Sequence, residues 1–336
     1  MIEEINTHLY RLDIPIPGSP LKSLNSYVIK SKDRNLIIDT GWNRRECLEE
    51  MLVGLRELGV DLRRTDFFIT HSHVDHLGLV SRLVTGTSKI YFNKPEAERI
   101  SSGFRWDEFL WFARLNGYPE EELQGIRDTH PGLRYRAEGK LDFHILREGD
   151  TLRIGDYLFR CVETPGHTRG HLCLYEPEKK IFVSGDHILE DISPNIQLWS
   201  DEWNPLREYL LSLDKVFKLD IELVLPGHRR IFRDCRRRIE ELKLHHERRF
   251  DEIISILRRG SGDAFQVASQ MSWDIIYDSW DLFPSSQKWF ATGEVIAHLK
   301  YLEEGGVIRK EEREQRRLFS LIYERASRTH EGKPRE

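Results

Sequence analysis

A chain of 336 residues has room for one large domain and a smaller second one. With 39% hydrophobic and 32% charged residues, it contains no apolar window near the roughly 18 to 20 residues needed to cross a bilayer. The formal charge of -5 supplies no global attraction to nucleic acid. The acidic start, Met1-Ile2-Glu3-Glu4-Ile5-Asn6, lacks the basic end and apolar stretch of a secretory signal, so a water-soluble, cytoplasmic protein with no membrane partner is expected. Cys47, Cys161, Cys173 and Cys235 are scattered and form no Cys-x-x-Cys pair, which predicts free thiols in a reducing compartment. Cys161 and Cys173 lie in apolar runs and read as small core residues.

In chain order, Leu9 to Ile14, Ser26 to Ile29 and Asn35 to Ile38 read as strands, the last closing on Asp39-Thr40-Gly41. Cys47, Leu48, Met51, Leu52, Leu55 and Leu58 recur at three- and four-residue spacing, predicting a helix from Arg45 that Gly59 ends. Asp66 to Thr70 is a buried strand running straight into His71. Residues 96–140 interrupt the β rhythm with a helical insertion carrying Phe104, Trp106, Phe109, Trp111, Phe112 and Tyr118, followed by His130-Pro131-Gly132. Trp and Phe at helical spacing pack a core or cover a substrate, and the segment is expected to do one or the other. Strand pattern returns from Phe143 to Tyr175, at Lys180 to Ser184 and at Ile221 to Leu225. Beyond about residue 230 the composition shifts to charged amphipathic helix.

The chemistry concentrates where strands end. His71-Ser72-His73-Val74-Asp75-His76 supplies four potential ligands in six residues. Two histidines two apart on extended chain point to one side, and the next loop can turn Asp75 and His76 to a neighbouring point. Imidazole and carboxylate suit zinc or another first-row metal, at about 2.0 to 2.2 Å for zinc. These four make one site or parts of two. Further on, Thr164-Pro165-Gly166-His167-Thr168-Arg169-Gly170-His171, Ser184-Gly185-Asp186-His187 and Pro226-Gly227-His228 each follow a strand. A turn calls for glycine, but not for a histidine or aspartate beside it each time.

With Ile38-Asp39-Thr40-Gly41 ahead of them, these motifs in this order resemble the metallo-β-lactamase superfamily, specifically its hydroxyacylglutathione hydrolase-like branch, over roughly residues 7 to 230. The resemblance implies an α/β fold, the four-layer αββα sandwich. It also implies two divalent metal ions: His71, His73 and His167 on the first, Asp75, His76 and His228 on the second, and Asp186 bridging them. Zinc is the first expectation, and iron or manganese is served by the same ligand types. A hydroxide shared by the metals would be the nucleophile, because metals depress the pKa of bound water from about 15.7 to near 7. Asp75, Asp39 and His228 are then the catalytic residues, Asp75 and His228 also ligating and Asp39 supporting the centre from behind the ligands. His171 and His187 are expected to brace or pack, and His8, His144, His245, His246, His298 and His330 to be surface or core residues.

The C-terminal region opens with Ile239, Leu242, Phe250, Ile253, Ile254 and Leu257 on amphipathic helix. Thr292 is placed to cap a helix bearing Val295, Ile296, Leu299 and Leu302, stopped by Gly305-Gly306. Val307-Ile308 and Leu318 to Ile322 then read as two strands of a wing. This resembles the small winged-helix domain of the lactamase-like protein 2 group, whose members include single-strand-specific endoribonucleases and thioesterases acting on carrier-bound acyl chains. The domains expected are a catalytic domain over 1–230 with its insertion at about 96–140, a winged-helix-like domain over 231–325 and a polar tail over 326–336. Arg229, Arg230, Arg233, Arg236, Arg237, Arg238, Arg248 and Arg249 could contact phosphates, but Glu240, Glu241, Glu247, Asp251 and Glu252 dilute them, and a salt-bridged helix face is the commoner outcome.

The favoured function is hydrolysis of an ester or thioester of acyl-CoA, acyl-carrier or acylglutathione type. A single-strand-specific endoribonuclease and a metal-binding regulatory protein without turnover are the alternatives. The expected partner is a small-molecule or acyl-carrier substrate, with nucleic acid less favoured. Apolar positions on the C-terminal helices hint at a homodimer.

Overall fold

The computed structural model describes residues 2–103, 105–274 and 277–322. Phe104, His330 and the polar tail over 326–336 lie outside the described residues. The first sheet is laid down in chain order. Strands β1 (Ile2–Asn6), β2 (Leu9–Pro15), β3 (Ser23–Ile29) and β4 (Asn35–Ile38) pair antiparallel in succession. Helix α1 (Arg45–Glu57) then crosses over, so that β5 (Thr65–Phe68) runs parallel to β4. Short helices α2 (Val74–Leu77) and α3 (Val80–Leu83) precede β6 (Ile90–Asn93). The insertion is helical, as expected, and consists of α4 (Lys94–Ser102), α5 (Trp106–Leu115), α6 (Glu120–Thr129) and α7 (Pro131–Arg134), before β7 (Phe143–Leu146) completes the parallel half of the sheet.

The second sheet is formed by β8 (Thr151–Ile154), β9 (Tyr157–Glu163), β10 (Leu172–Glu176) and β11 (Ile181–Gly185), antiparallel neighbours, and by β12 (Leu223–Pro226), which returns parallel to β11 after helix α8 (Pro205–Phe217). Helices α9 (Cys235–Leu257), α10 (Ala264–Ala268) and α11 (Ser285–Glu304) follow, then a hairpin of β13 (Ile308–Arg313) and β14 (Arg316–Leu321).

Three apolar layers explain the burial. Between the sheets, Leu9, Tyr27, Ile29, Leu36, Ile38 and Phe68 meet Leu152, Phe159, Cys161, Leu172, Leu174 and Val183. Outside the first sheet, Cys47, Met51 and Leu55 of α1 pack on Leu12, Ile14, Ile37 and Phe67. Outside the second, Cys173 and Phe182 are covered by α8, α9 and α11. This is the four-layer αββα sandwich. Strands β4 and β5 are buried at every position because both faces of the sheet are covered, which is why they read as continuous apolar runs rather than alternating ones. The four cysteines are free and buried.

One finding corrects the reading of the C-terminal region. Thr292 caps nothing: α11 begins at Ser285 after Pro284, and Thr292 lies fully buried within it. The helix is nearly enclosed, so the apolar stripe that suggested a start at 292 is only the middle of a longer buried helix. The outer apolar cluster also runs across residue 230 without a break, joining Tyr209 and Leu213 to Ile239, Leu242, Val295, Leu299 and Phe319. Both strands expected near 307 and 318 are present as the hairpin.

Candidate metal centre

All seven expected ligands converge at the C-terminal ends of strands. His71 follows β5, and the stretch after it bends so that His73 becomes the residue before α2, with Asp75 and His76 on that helix. His167 stands in the loop after β9, Asp186 directly after β11, and His228 after β12. His71 Nε2 and His167 Nε2 lie 3.0 and 2.9 Å from His73 Nδ1. His228 Nε2 lies 3.3 Å from Asp75 Oδ2, and His76 Nε2 lies 4.0 Å from it. Asp186 stands between these trios: Oδ2 is 3.7 Å from His167 Nε2 and 3.6 Å from His228 Nε2, and Oδ1 is 3.5 Å from His76 Nε2. Zinc contacts of about 2.0 to 2.2 Å set tetrahedral ligand atoms about 3.4 Å apart, so these spacings fit cations between them.

The distal ring nitrogens are held so that the converging ones are free. Nδ1–H of His228 donates to the Ser23 carbonyl at 2.8 Å, and Nδ1–H of His167 to the Asn195 carbonyl at 2.8 Å. His76 Nδ1–H donates to Asp39 Oδ2 at 2.7 Å. The Thr70 hydroxyl donates to that same carboxylate at 2.9 Å, which leaves it to accept from His71 Nδ1–H at 3.0 Å. A carbonyl or carboxylate partner on one nitrogen fixes the tautomer that presents the other to a metal. In keeping with this, His76 Nε2, His228 Nε2 and Asp186 Oδ1 are buried with no hydrogen-bond partner. A Cβ on Gly227 would fall 2.6 Å from Asp186 Oδ1 and 2.7 Å from His76 Cε1, so only glycine leaves the cradle open.

The electrostatics fit the same occupants. Burial foremost, then neighbouring imidazoles, holds His71 and His73 well below the ordinary histidine pKa, and burial also lowers His167. These rings are kept neutral, as ligation requires. Burial also works against charge on His76 and His228, yet the carboxylates outweigh it: Asp39, Asp186 and Asp75 raise His76, and Asp186 and Asp75 raise His228. Burial works to raise Asp75, but His76 and His228 bring it down to about 2; His228 and His76 likewise hold Asp186 well below the carboxylate range. Among the described residues, Asp39, Asp75 and Asp186 have only histidines as ion-pair partners. Two buried carboxylates and one partly buried, without lysine or arginine, call for positive charge, which bound divalent cations would supply in place of protonated His76 and His228.

Asp39 is the brace expected behind the ligands. It adopts φ 57°, a left-handed conformation that aspartate tolerates better than most residues, and accepts from Thr70 N–H at 2.9 Å as well as from His76 and the Thr70 hydroxyl. His171 also braces: its Nε2 accepts from the Asp186 N–H at 3.1 Å, and its other nitrogen faces the Thr164 hydroxyl at 2.8 Å. His187 packs, its ring edge-on to Tyr209 at 5.4 Å. Four supporting groups escaped the sequence reading: Thr70, the Ser23 and Asn195 carbonyls, and Glu96, whose buried carboxylate reaches the ligand loops from α4. Thr70 adjoins His71, which was a usable signal. Glu96 and Asn195 carried none.

A cavity of about 770 Å³ opens on the centre, with His73, Asp75, His167 and Asp186 at its floor. The insertion walls it with Ile100, Phe109, His130 and Leu133, the segment after Asp186 with Leu189, Ile192 and Trp199, and α11 with Trp289 and Phe290. Trp199 and Trp289 stack at 3.7 Å. The insertion thus packs a core of its own and also lines the cavity. Phe109 faces the cavity, Trp106 is buried in the cluster that includes Trp289, and Trp111 is 60% exposed outside the lining. The arginines from Arg229 to Arg238 lie mostly at the surface, engaged by carbonyls and carboxylates. Arg238 donates to the carbonyls of Leu189 and Ile192 at 2.6 and 2.9 Å, while Arg230 and Arg237 pair with Asp191, Glu190 and Glu241.

The sandwich and its ligand set define a hydrolase class, and the chain belongs to the metallo-beta-lactamase superfamily, whose model matches residues 21–228. It is 25% identical over 217 residues to the human acyl-coenzyme A thioesterase MBLAC2, covering 61% of this chain and 72% of that protein. The beta-lactamase-like protein 2 homolog of Caenorhabditis elegans is 23% identical over 259 residues, 76% of this chain and 73% of its own. The crystal structure of a metallo-beta-lactamase family protein from Thermus thermophilus superposes with a TM-score of 0.80 at 28% identity, covering 95% of this chain and all of the other.

Proposed function

We propose that this chain is a hydrolase dependent on two divalent cations that cleaves acyl thioesters or esters, with the acyl chain seated in the cavity. The observation that carries this is the apolar, aromatic wall set directly over the ligand residues: Ile100, Phe109, Leu133, Trp199, Trp289 and Phe290 offer a long hydrocarbon a place to be buried, at about 25 cal/mol per Å² of surface removed from water. Arg99 and Arg136 line the same cavity and suit an anionic part of such a substrate. The name of the human relative agrees with a thioester, and the same ligands suit zinc first, then iron or manganese. Within the superfamily we place the chain in the hydroxyacylglutathione hydrolase-like branch, with a winged-helix-like C-terminal region whose α11 walls the cavity. Bound cations would supply a nucleophilic water at neutral pH and polarise the substrate carbonyl. The chain's own residues prepare for that: neutral His71, His73 and His167 and ionised Asp75 and Asp186 stand ready to ligate, Asp39 and Thr70 lock His71 and His76, and the walls shed water from the acyl chain.

Turnover of acyl-CoA, acylglutathione, lactone and single-stranded RNA substrates by metal-loaded protein tests this, with Asp75→Asn as control. Acyl thioesters should be cleaved, and the control should lose that activity. Cleavage of RNA without cleavage of any thioester or ester would overturn the proposal in favour of a nuclease.

A further inference from the structure

Glu96 lies in the first turn of α4 and is 1% exposed. Both oxygens of its carboxylate are engaged. Oε2 accepts from the Ser72 N–H at 2.9 Å and from the Ser72 hydroxyl, and Oε1 accepts from the Gly170 N–H at 2.8 Å. Ser72 is the residue between His71 and His73, and Gly170 belongs to the loop that carries His167. One side chain of the insertion therefore ties together the two chain segments that present the first ligand trio. Arg99, one turn on, fixes the direction of the contact: its Nε and Nη2 donate to the Ser72 hydroxyl at 2.9 and 2.7 Å, so that hydroxyl gives its own proton to Glu96. Gly170 is fitted to the carboxyl-bearing turn, since a Cβ there would lie 2.9 Å from Glu96 Cγ and 3.1 Å from Glu96 N. Among the described residues, Glu96 makes no hydrogen bond to α2, which carries Asp75 and His76, or to the turn carrying His228.

We infer that Glu96 is a positioning residue, setting the spacing between the His71–His73 segment and the His167 loop and thereby the affinity for the cation held by His71, His73 and His167. This rests on the two-cation reading of the site and not on any substrate. Two acceptor oxygens facing two backbone N–H donors is an arrangement glutamine cannot reproduce. Its amide offers one acceptor and one donor, so in either orientation an N–H of Ser72 or Gly170 meets another N–H.

The test is a titration of full-length protein with zinc and with cobalt(II) against a competing chelator, in the wild type, Glu96→Gln, Gly170→Ala and the reference variants His167→Ala and His228→Ala. Glu96→Gln should keep one cation at wild-type affinity and bind the other about 10- to 100-fold more weakly, the range typical for loss of a group behind a ligand. Its cobalt spectrum should shift toward that of His167→Ala rather than His228→Ala. Gly170→Ala, which strains the same contact from the other side, should reproduce the pattern and decides the question if Glu96→Gln does not fold. Unchanged affinity for both cations, or equal weakening of both, would overturn the inference. Fewer than two cations on the wild type would instead overturn the two-cation reading itself.

Discussion

Asp39 couples a left-handed backbone to three hydrogen bonds, from the Thr70 N–H, the Thr70 hydroxyl and His76 Nδ1. A non-glycine residue held there carries strain of about 1 to 3 kcal/mol, which persists only where the surroundings enforce it. Here the geometry aims the carboxylate at His76 directly and at His71 through the Thr70 hydroxyl. Replacing Asp39 by Ala leaves His76 free to rotate and to present the wrong nitrogen, so affinity for the cation of Asp75, His76 and His228 should fall about 10- to 100-fold in a chelator-competition titration. Equal binding by variant and wild type would show that the ring is held by packing alone. At this scale the sequence was most legible. The seven ligands and Asp39 stood in recognisable strand-end turns, whereas Glu96 lies in an insertion helix where a glutamate after Pro95 looks like an ordinary first-turn acid.

The elements that matter most are those that enclose the cavity. Helix α11 reaches it only because α10, α11 and the hairpin pack on α9, which in turn braces Leu189 and Ile192 through Arg238. Phe290 lines the cavity near the N-terminal end of α11 and is partly buried. Burial of a side chain of this size is worth about 1.5 to 3 kcal/mol. Phe290→Ala should therefore raise KM by roughly tenfold for long-chain acyl thioesters while leaving acetyl thioesters nearly unaffected. A KM series over acyl chain length measures it, and a uniform rise at all lengths would place the chain elsewhere. The helical period around 292 was visible in sequence. That the helix starts seven residues earlier was not, because burial on nearly every face erases the amphipathic contrast that marks a helix start.

Across the whole molecule, the joint between α9 and α11 holds a buried titratable cluster. His246 Nδ1 lies 3.0 Å from His298 Nε2, and Glu294 Oε1 lies 3.7 Å from Arg249 Nε and 4.0 Å from His245 Nε2. Burial pushes Glu294 up from 4.5 to about 7, only partly opposed by Arg249. Between those values the folded protein binds a proton that the unfolded chain has released, so the contribution of Glu294 falls as pH rises through this window, by about 3 kcal/mol in all. Burial lowers His245 to about 4 and His298 to about 3 and holds His246 well below its ordinary value. Their contributions are complete above the ordinary histidine pKa of 6.5 and are lost as pH falls, so the two trends oppose one another in the wild type. Glu294→Gln isolates the carboxyl. Relative to wild type, its unfolding free energy should rise by a few kcal/mol between about pH 5 and pH 8 in urea melts. A difference independent of pH would mean that Glu294 titrates normally.

By itself the sequence determined the superfamily and which histidines and aspartates converge at the candidate metal centre, because their identity and the glycine turns that expose them are local properties written at strand ends. It also determined that the strand leading into His71 was buried and that 96–140 was a helical insertion. Only the tertiary structure decided that Glu96 joins two ligand loops, that Arg237 and Arg238 of α9 hold the segment after Asp186 that walls the cavity, and that α11 completes that wall. Each of those depends on contacts between residues dozens to a hundred or more positions apart, where one side chain's partner leaves no trace in the pattern around it.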